Sequence, residues 1–197
     1  MRTRAQPRAL GPPGGGRSLA AVLREGGFAV DTTQPLTVVT QFITSDGTDS
    51  GDLVEIKRSF VQGGVHIPHP ACTNIPGNFS SVTDAFCKAK GVAFADNDNF
   101  ETFGGLKRMG EVMEGGMVLV LSQWVDYEAH MLWLDSTYPT NATGLPGAAR
   151  GTCDTSSGNP PDVIAKSPNS KVLFSKISLG AIGFSTAVSG GERAYKL

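Results

Sequence analysis

Residues 122–140 hold the densest group of chemically capable side chains: Trp124, Asp126, Tyr127, Glu128, His130, Trp133, Asp135 and Tyr138. Both tryptophans of the protein lie in it. An exposed aromatic face stacks on the C–H face of a pyranose ring, and neighbouring carboxylates and amides take the hydroxyls. Trp124 and Trp133 admit two readings: core aromatics, because large rings bury most of their area, or a ligand platform. Asp126 and Glu128, two apart, would share one face of a strand. Retaining glycoside hydrolysis uses two carboxyls about 5–5.5 Å apart, within reach of such a pair. The preferred reading is plainer: two solvated acids near a strand end.

Other candidates carry less. His66 and His69 flank Pro68, which forbids a helix there, and no Cys, Asp or Glu stands at ligand spacing. A surface loop is the expectation, with no metal and no cofactor. Asn78-Phe-Ser80 and Asn141-Ala-Thr143 are sequons, making Asn78 and Asn141 glycosylation candidates in a secreted chain. Cys72, Cys87 and Cys153 are an odd set, so at least one thiol has no partner within the chain. There is no nucleophile elbow, P-loop or dinucleotide fingerprint, and no residue is assigned a catalytic role.

The elements that must position these residues are short. The β-branched run at 36–42 and the alternating run at 53–61 predict strands, with turns at 45–48 and at Gly63-Gly64, then a strand at 65–67. Residues 81–90 predict a helix capped by Ser81 or Thr83 and ended by Gly91; residues 103–113 predict a second. The apolar run at 116–124 predicts a central strand covered on both faces, and 171–179 a last alternating strand. Short strands with Gly/Pro/Asn/Ser turns and few helices indicate a β-sandwich.

Composition narrows the function classes. The 197 residues are 40% apolar, enough for a core, and only 18% charged, which excludes a highly charged disordered chain. A net charge of −1 gives no broad basic field for nucleic acid, and no apolar run is long enough to span a membrane. The charge is uneven, however. Residues 1–26 carry five arginines against Glu25, a balance of +4, and the rest carries 12 basic and 17 acidic residues, a balance of −5. Prolines and glycines separate the arginines of the head from a five-residue apolar stretch, so it makes no convincing signal peptide. The expected organisation is a disordered or artefactual head at 1–26, a body at 27–188 and a tail at 189–197.

From Phe28 onward the chain resembles the carboxyl-terminal part of the catalytic domain of glycoside hydrolase family 7, the cellobiohydrolases and endoglucanases. The runs that carry the likeness are Asp31-Thr-Thr-x-x-Leu-Thr-Val-Val-Thr-Gln-Phe42, Gly115-Gly-Met-Val-Leu-Val120, Met131-Leu-Trp-Leu-Asp-Ser-Thr-Tyr-Pro-Thr-Asn141 and Pro146-Gly-Ala-x-Arg-Gly-x-Cys153. Thr155-Ser-Ser-Gly158, Ser167-Pro-Asn169 and Gly180-x-Ile-Gly183 continue it. The segments around Tyr138 and Arg150 resemble the cellobiohydrolase branch.

The resemblance implies an all-β fold: a partial, concanavalin A-like β-jelly-roll sandwich with short helices and long loops. It further implies a secreted, typically monomeric β-1,4-glucanase acting on cellulose or β-1,4-gluco-oligosaccharides with retention. Trp124 and Trp133 match sugar-stacking tryptophans, Arg150 an arginine on the leaving-cellobiose side, and Tyr138 lines that region. The family's catalytic signature, Glu-x-Asp-x-x-Glu, occurs nowhere in this chain; in the family it lies upstream of the resembling part. Val125 replaces a common acid, and His130 stands where Asn is usual. Cys87 and Cys153 match cysteines whose family partners lie upstream, and Cys72 is extra. A chain with these features is expected to be inactive alone. It reads as part of a cellulase, or alternatively as a non-catalytic glucan-binding relic; a relocated Asp126/Glu128 pair is the least favoured reading.

Overall fold

A computed structural model describes residues 30–97, 99–142 and 144–183. Its organising unit is one antiparallel sheet, with strands β1 (Thr37–Thr44), β2 (Leu53–Gln62) and β3 (Val65–Pro68) in the order β1-β2-β3. β1 pairs with β2 from Thr37 opposite Val61 to Thr44 opposite Leu53, with an irregularity at Ile43/Thr44. The β1–β2 connection is closed by Ser45 N–H donating to Asp52 O at 2.8 Å. The Asp46 carboxylate braces it, accepting from the amide and the hydroxyl of Thr48. β2 and β3 are joined by Gly63-Gly64 alone. Both glycines have positive φ, 58° and 79°, as the tight turn matching strand twist requires.

Phe60 of β2 is buried with Val30 against Leu36 and Ile67. Gln62 fastens the chain entering this core: its Nε2 donates to Asp31 O at 2.7 Å, and its Oε1 accepts from Asp31 N–H at 2.9 Å.

Among the described residues four helices follow: α1 (Asp84–Phe94), α2 (Gly105–Glu114), α3 (Leu132–Asp135) and α4 (Pro160–Lys166). Thr83 caps α1, its hydroxyl accepting from Phe86 N–H at 3.1 Å. Gly91 does not end α1, contrary to the sequence expectation. It is buried inside the helix, which stops four residues later with Ala95 at φ 51°. Asp84 ties the two longer helices together, its Oδ1 accepting from Leu106 N–H at 2.9 Å at the start of α2. Leu106 is fully buried, and Gly110 of α2 lies so close to Leu53 of β2 that a Cβ there would strike it. The helix predicted from Phe103 begins at Gly105, because Gly104 at φ 95° breaks the backbone before it.

Two predicted strands are corrected. Residues 116–124 and 171–179 belong to no ladder among the described residues. Their apolar side chains are exposed, with Val118 at 86% and Leu173 at 83%. Strand-forming composition supplies a side-chain pattern, but a ladder also needs a partner backbone, and the three-stranded sheet does not take these segments in. Among the described residues no helix is long and apolar enough to cross a membrane.

Candidate functional site

The segment 124–138 is a sequence of turns around one carboxylate. Asp126 is 8% exposed, and both its oxygens are engaged. Oδ1 accepts from the amides of Glu128 and Ala129, each at 3.0 Å. Oδ2 accepts from Met131 N–H at 3.2 Å and from the indole Nε1–H of Trp133 at 3.0 Å. These donors favour the ionised form. The Ala129 amide contributes most, and with Trp133, Met131 and Glu128 it outweighs burial and pulls the carboxyl down to about 2. Residues 127–131 form turns, so Asp126 and Glu128 do not share a strand face. Asp126 is neither a solvated acid nor half of a hydrolytic pair, because its lone pairs already serve the turn.

This turn delivers the chain to α3 through two residues with left-handed backbone, His130 at φ 52° and Met131 at φ 60°. Asn and His are among the few non-glycine residues that occupy this region readily, which gives a physical reason for His where Asn is usual. Gly158 packs against the same corner. At φ +80°, with the His130 carbonyl directly beside it, it has no room for a Cβ.

After α3 the chain pairs with residues 148–153. Tyr138 N–H donates to Ala148 O at 2.9 Å, Arg150 N–H to Ser136 O at 2.8 Å and Cys153 N–H to Asp135 O at 2.9 Å. Ser136 is fully buried, and its hydroxyl donates to Cys153 O at 2.6 Å. The Tyr138-Pro139 bond is cis.

The four residues singled out from the sequence are linked by contacts. The Trp124 and Trp133 rings stack with centroids 6.5 Å apart and planes 28° from parallel. Trp124 is 53% exposed and Trp133 half-buried. Arg150 donates from Nη1 to Trp133 O at 3.3 Å and from Nε to Gly147 O at 3.0 Å. Its guanidinium stands 6.0 Å from the centre of the Tyr138 ring. The arrangement offers half-open aromatic faces beside a fixed cation, a surface suited to a flat, hydroxylated ligand. Asp126 is the residue beside this set that the sequence pattern misplaced, because three of its four donors are backbone amides that the turn brings to it.

Elsewhere, Asn78 is exposed just after the turn at 76–77, and Asn141 is exposed on a turn. His66 is exposed on β3, and His69 shares a hydrogen bond of 2.9 Å with Pro70 O. Among the described residues no group of three or more His, Cys, Asp or Glu side chains could hold a metal ion.

The family model described as glycosyl hydrolase family 7 matches residues 24–186. The chain belongs to that family. A family 7 cellobiohydrolase from Daphnia pulex is 48% identical, with a TM-score of 0.66, over 72% of this chain and 32% of that one. A cellobiohydrolase from Melanocarpus albomyces complexed with cellotetraose is 36% identical, TM-score 0.58, over 72% and 31%. An endoglucanase I complexed with cellobiose is 31% identical, TM-score 0.58, over 74% and 32%. The chain thus spans about a third of the length of these solved structures. The likeness establishes the fold class: the open antiparallel sheet is part of a family 7 β-jelly roll.

Proposed function

We propose that this chain carries the glucan-stacking part of a β-1,4-glucanase groove of cellobiohydrolase type, with cellulose or β-1,4-gluco-oligosaccharide as its ligand. The observation that carries this reading is the linked set Trp124, Trp133, Arg150 and Tyr138. Its backbone is fixed by Asp126 and by the 136–150 pairing before any ligand arrives. The cellotetraose and cellobiose complexes of two relatives support the ligand class. Family membership supports a glycosidase, a secreted one, with Asn78 and Asn141 as its exposed sequons.

Retaining hydrolysis needs a nucleophile and an acid/base carboxyl. Neither Asp126, whose oxygens are occupied, nor any Glu-x-Asp-x-x-Glu run supplies them here. The chain therefore binds without cleaving, and the cleaving carboxylates belong to a part of the family domain beyond the matched third. Residues 27–188 are read as the family segment; the family model itself matches residues 24–186.

The test is titration of the full chain with cellotetraose, beside an assay for phenol release from a reporter β-cellobioside. Binding without turnover is expected, with affinity about tenfold weaker in Trp133→Ala, the scale of one lost aromatic stacking contact. No binding by the wild-type chain, or turnover by it, overturns the reading, and turnover abolished by Asp126→Asn would assign the cleavage to the Asp126/Glu128 pair. The second reading, a binding relic with no hydrolytic partner sequence, draws on the same intact platform. Coding sequence for Glu-x-Asp-x-x-Glu joinable in frame upstream would exclude it.

A further inference from the structure

The Trp133 indole has a single polar atom, and a protein carboxylate already holds it. Trp133 Nε1–H donates to Asp126 Oδ2 at 3.0 Å, while the other Asp126 oxygen gathers the amides of Glu128 and Ala129. Asp126 is buried, so water does not compete freely for these bonds. The indole ring therefore has its edge fixed at one end and its plane set nearly parallel to Trp124. A tryptophan whose N–H is taken up in this way can offer a ligand only its ring face.

We propose that Asp126 is the positioning residue of the aromatic platform, locking the Trp133 indole so that it meets a sugar by face-stacking and not by hydrogen bonding from its N–H. The ligand side of this statement rests on the glucan-binding reading above; the lock itself does not. Asp126 acts through Trp133 and touches no reacting atom. A face-only platform recognises the C–H face common to successive β-1,4-linked glucose units and leaves their hydroxyls to Arg150 and to groups elsewhere in the groove. The left-handed backbone at His130 and Met131 belongs to the same device, since the Met131 amide is the fourth donor to Asp126.

The experiment uses the full chain labelled with ¹⁵N. With only two tryptophans, the indole region holds two N–H resonances, assigned by Trp124→Phe and Trp133→Phe. Two results are expected: the Trp133 N–H exchanges with solvent at least tenfold more slowly than that of Trp124, and Asp126→Asn moves the Trp133 resonance and removes its protection. Equal exchange of the two indoles in the wild-type chain overturns the lock, and that measurement needs no variant to fold. Cellotetraose titrations then form a double-mutant cycle. Asp126→Asn is expected to weaken binding about tenfold in the wild-type background, and by less than half as much in free-energy terms when Trp133 is already Phe. An undiminished penalty in the Trp133→Phe background would mean that Asp126 acts on the fold and not through the indole. If the wild-type chain does not bind cellotetraose at all, the glucan reading fails and the exchange rates alone decide the lock.

Discussion

The Arg150 guanidinium lies over Tyr138, 6.0 Å from the centre of its ring, while its Nη1 donates to the carbonyl of Trp133 at 3.3 Å. One side chain thereby connects Trp133 within α3 to Tyr138 just beyond its end. The connection exists because residues 136–138 and 148–150 run antiparallel, with Thr137 bridging Ala149, which brings a residue twelve positions downstream beside Tyr138. A planar guanidinium can satisfy such a site because it donates in a fixed fork while its face lies against an aromatic ring.

Arg150→Lys is therefore not a conservative change. A single ammonium cannot hold the carbonyls of Gly147 and Trp133 together and also stack on Tyr138. Because Arg150 is exposed, thermal stability is expected to drop by less than about 1 kcal/mol. Cellotetraose affinity is expected to fall several-fold, and Arg150→Ala is expected to be no better than Arg150→Lys. Calorimetric titration alongside thermal melts separates the two effects. Wild-type affinity in Arg150→Lys would show that charge alone suffices.

Much of this was legible in the residues, and what was not has physical causes. The alternation at 53–61 and the paired glycines at 63–64 mark β2 and its hairpin, because burial period and turn chemistry are local properties. Thr83 marked its helix for the same reason. The 116–124 and 171–179 runs have the composition of strands, yet pairing is a property of two segments and their partners are not among the described residues. The role of Asp126 was hidden for a different reason: three of its four donors are backbone amides or a turn geometry that residue type does not specify. Arg150, Tyr138 and the two tryptophans were visible as a set only through family resemblance, since spacing alone does not predict their mutual contacts.

His130 at φ 52° and Gly158 at φ +80° make a second pair of tests. His130→Asn is expected to leave stability unchanged or slightly raised, because Asn tolerates left-handed backbone at least as well as His. His130→Val is expected to cost about 1–2 kcal/mol, the penalty of a β-branched residue held there. Gly158→Ala is expected to be at least as damaging, since its methyl group would meet the His130 carbonyl. Chemical denaturation midpoints rank the three. A stable Gly158→Ala variant would mean that this corner has another arrangement.

Acid should loosen the Asp126 turn in a defined window. Its carboxyl is pulled down to about 2 by the amides and indole that bind it, against about 3.9 in an unfolded chain. A depressed carboxylate stabilises the fold above its unfolded pKa, and that stabilisation disappears as pH falls through the folded one. Melting temperature is therefore expected to be flat down to about pH 4 and to fall between about pH 4 and 2. Asp31, Asp46 and Asp154, each lowered by a neighbouring Thr or Ser, push in the same direction, as does Asp96 beside Lys90. The contribution of Asp126 is isolated by comparing wild type with Asp126→Asn. The gap between their melting temperatures should be constant from pH 7 to about 4 and close towards pH 2. A gap that persists at pH 2 would mean that the ionised carboxylate is not what holds the turn.

The exposed run at 117–121 makes the last prediction. Met117, Val118, Leu119 and Val120 are each more than 60% exposed, and Leu173 and Leu179 are exposed to a similar or greater degree. Contiguous apolar surface of this kind drives self-association, and a β-prone segment without a ladder offers free backbone for pairing between copies. The isolated chain is accordingly expected to sediment as concentration-dependent oligomers and to bind an apolar fluorescent dye. Val118→Lys together with Val120→Glu should raise solubility with little change in melting temperature, because neither side chain contributes to the Val30–Phe60 core. Analytical ultracentrifugation of the two proteins at matched concentration decides the matter. A monomeric wild-type chain, or a variant that unfolds, would show that residues 117–121 are packed against something in solution.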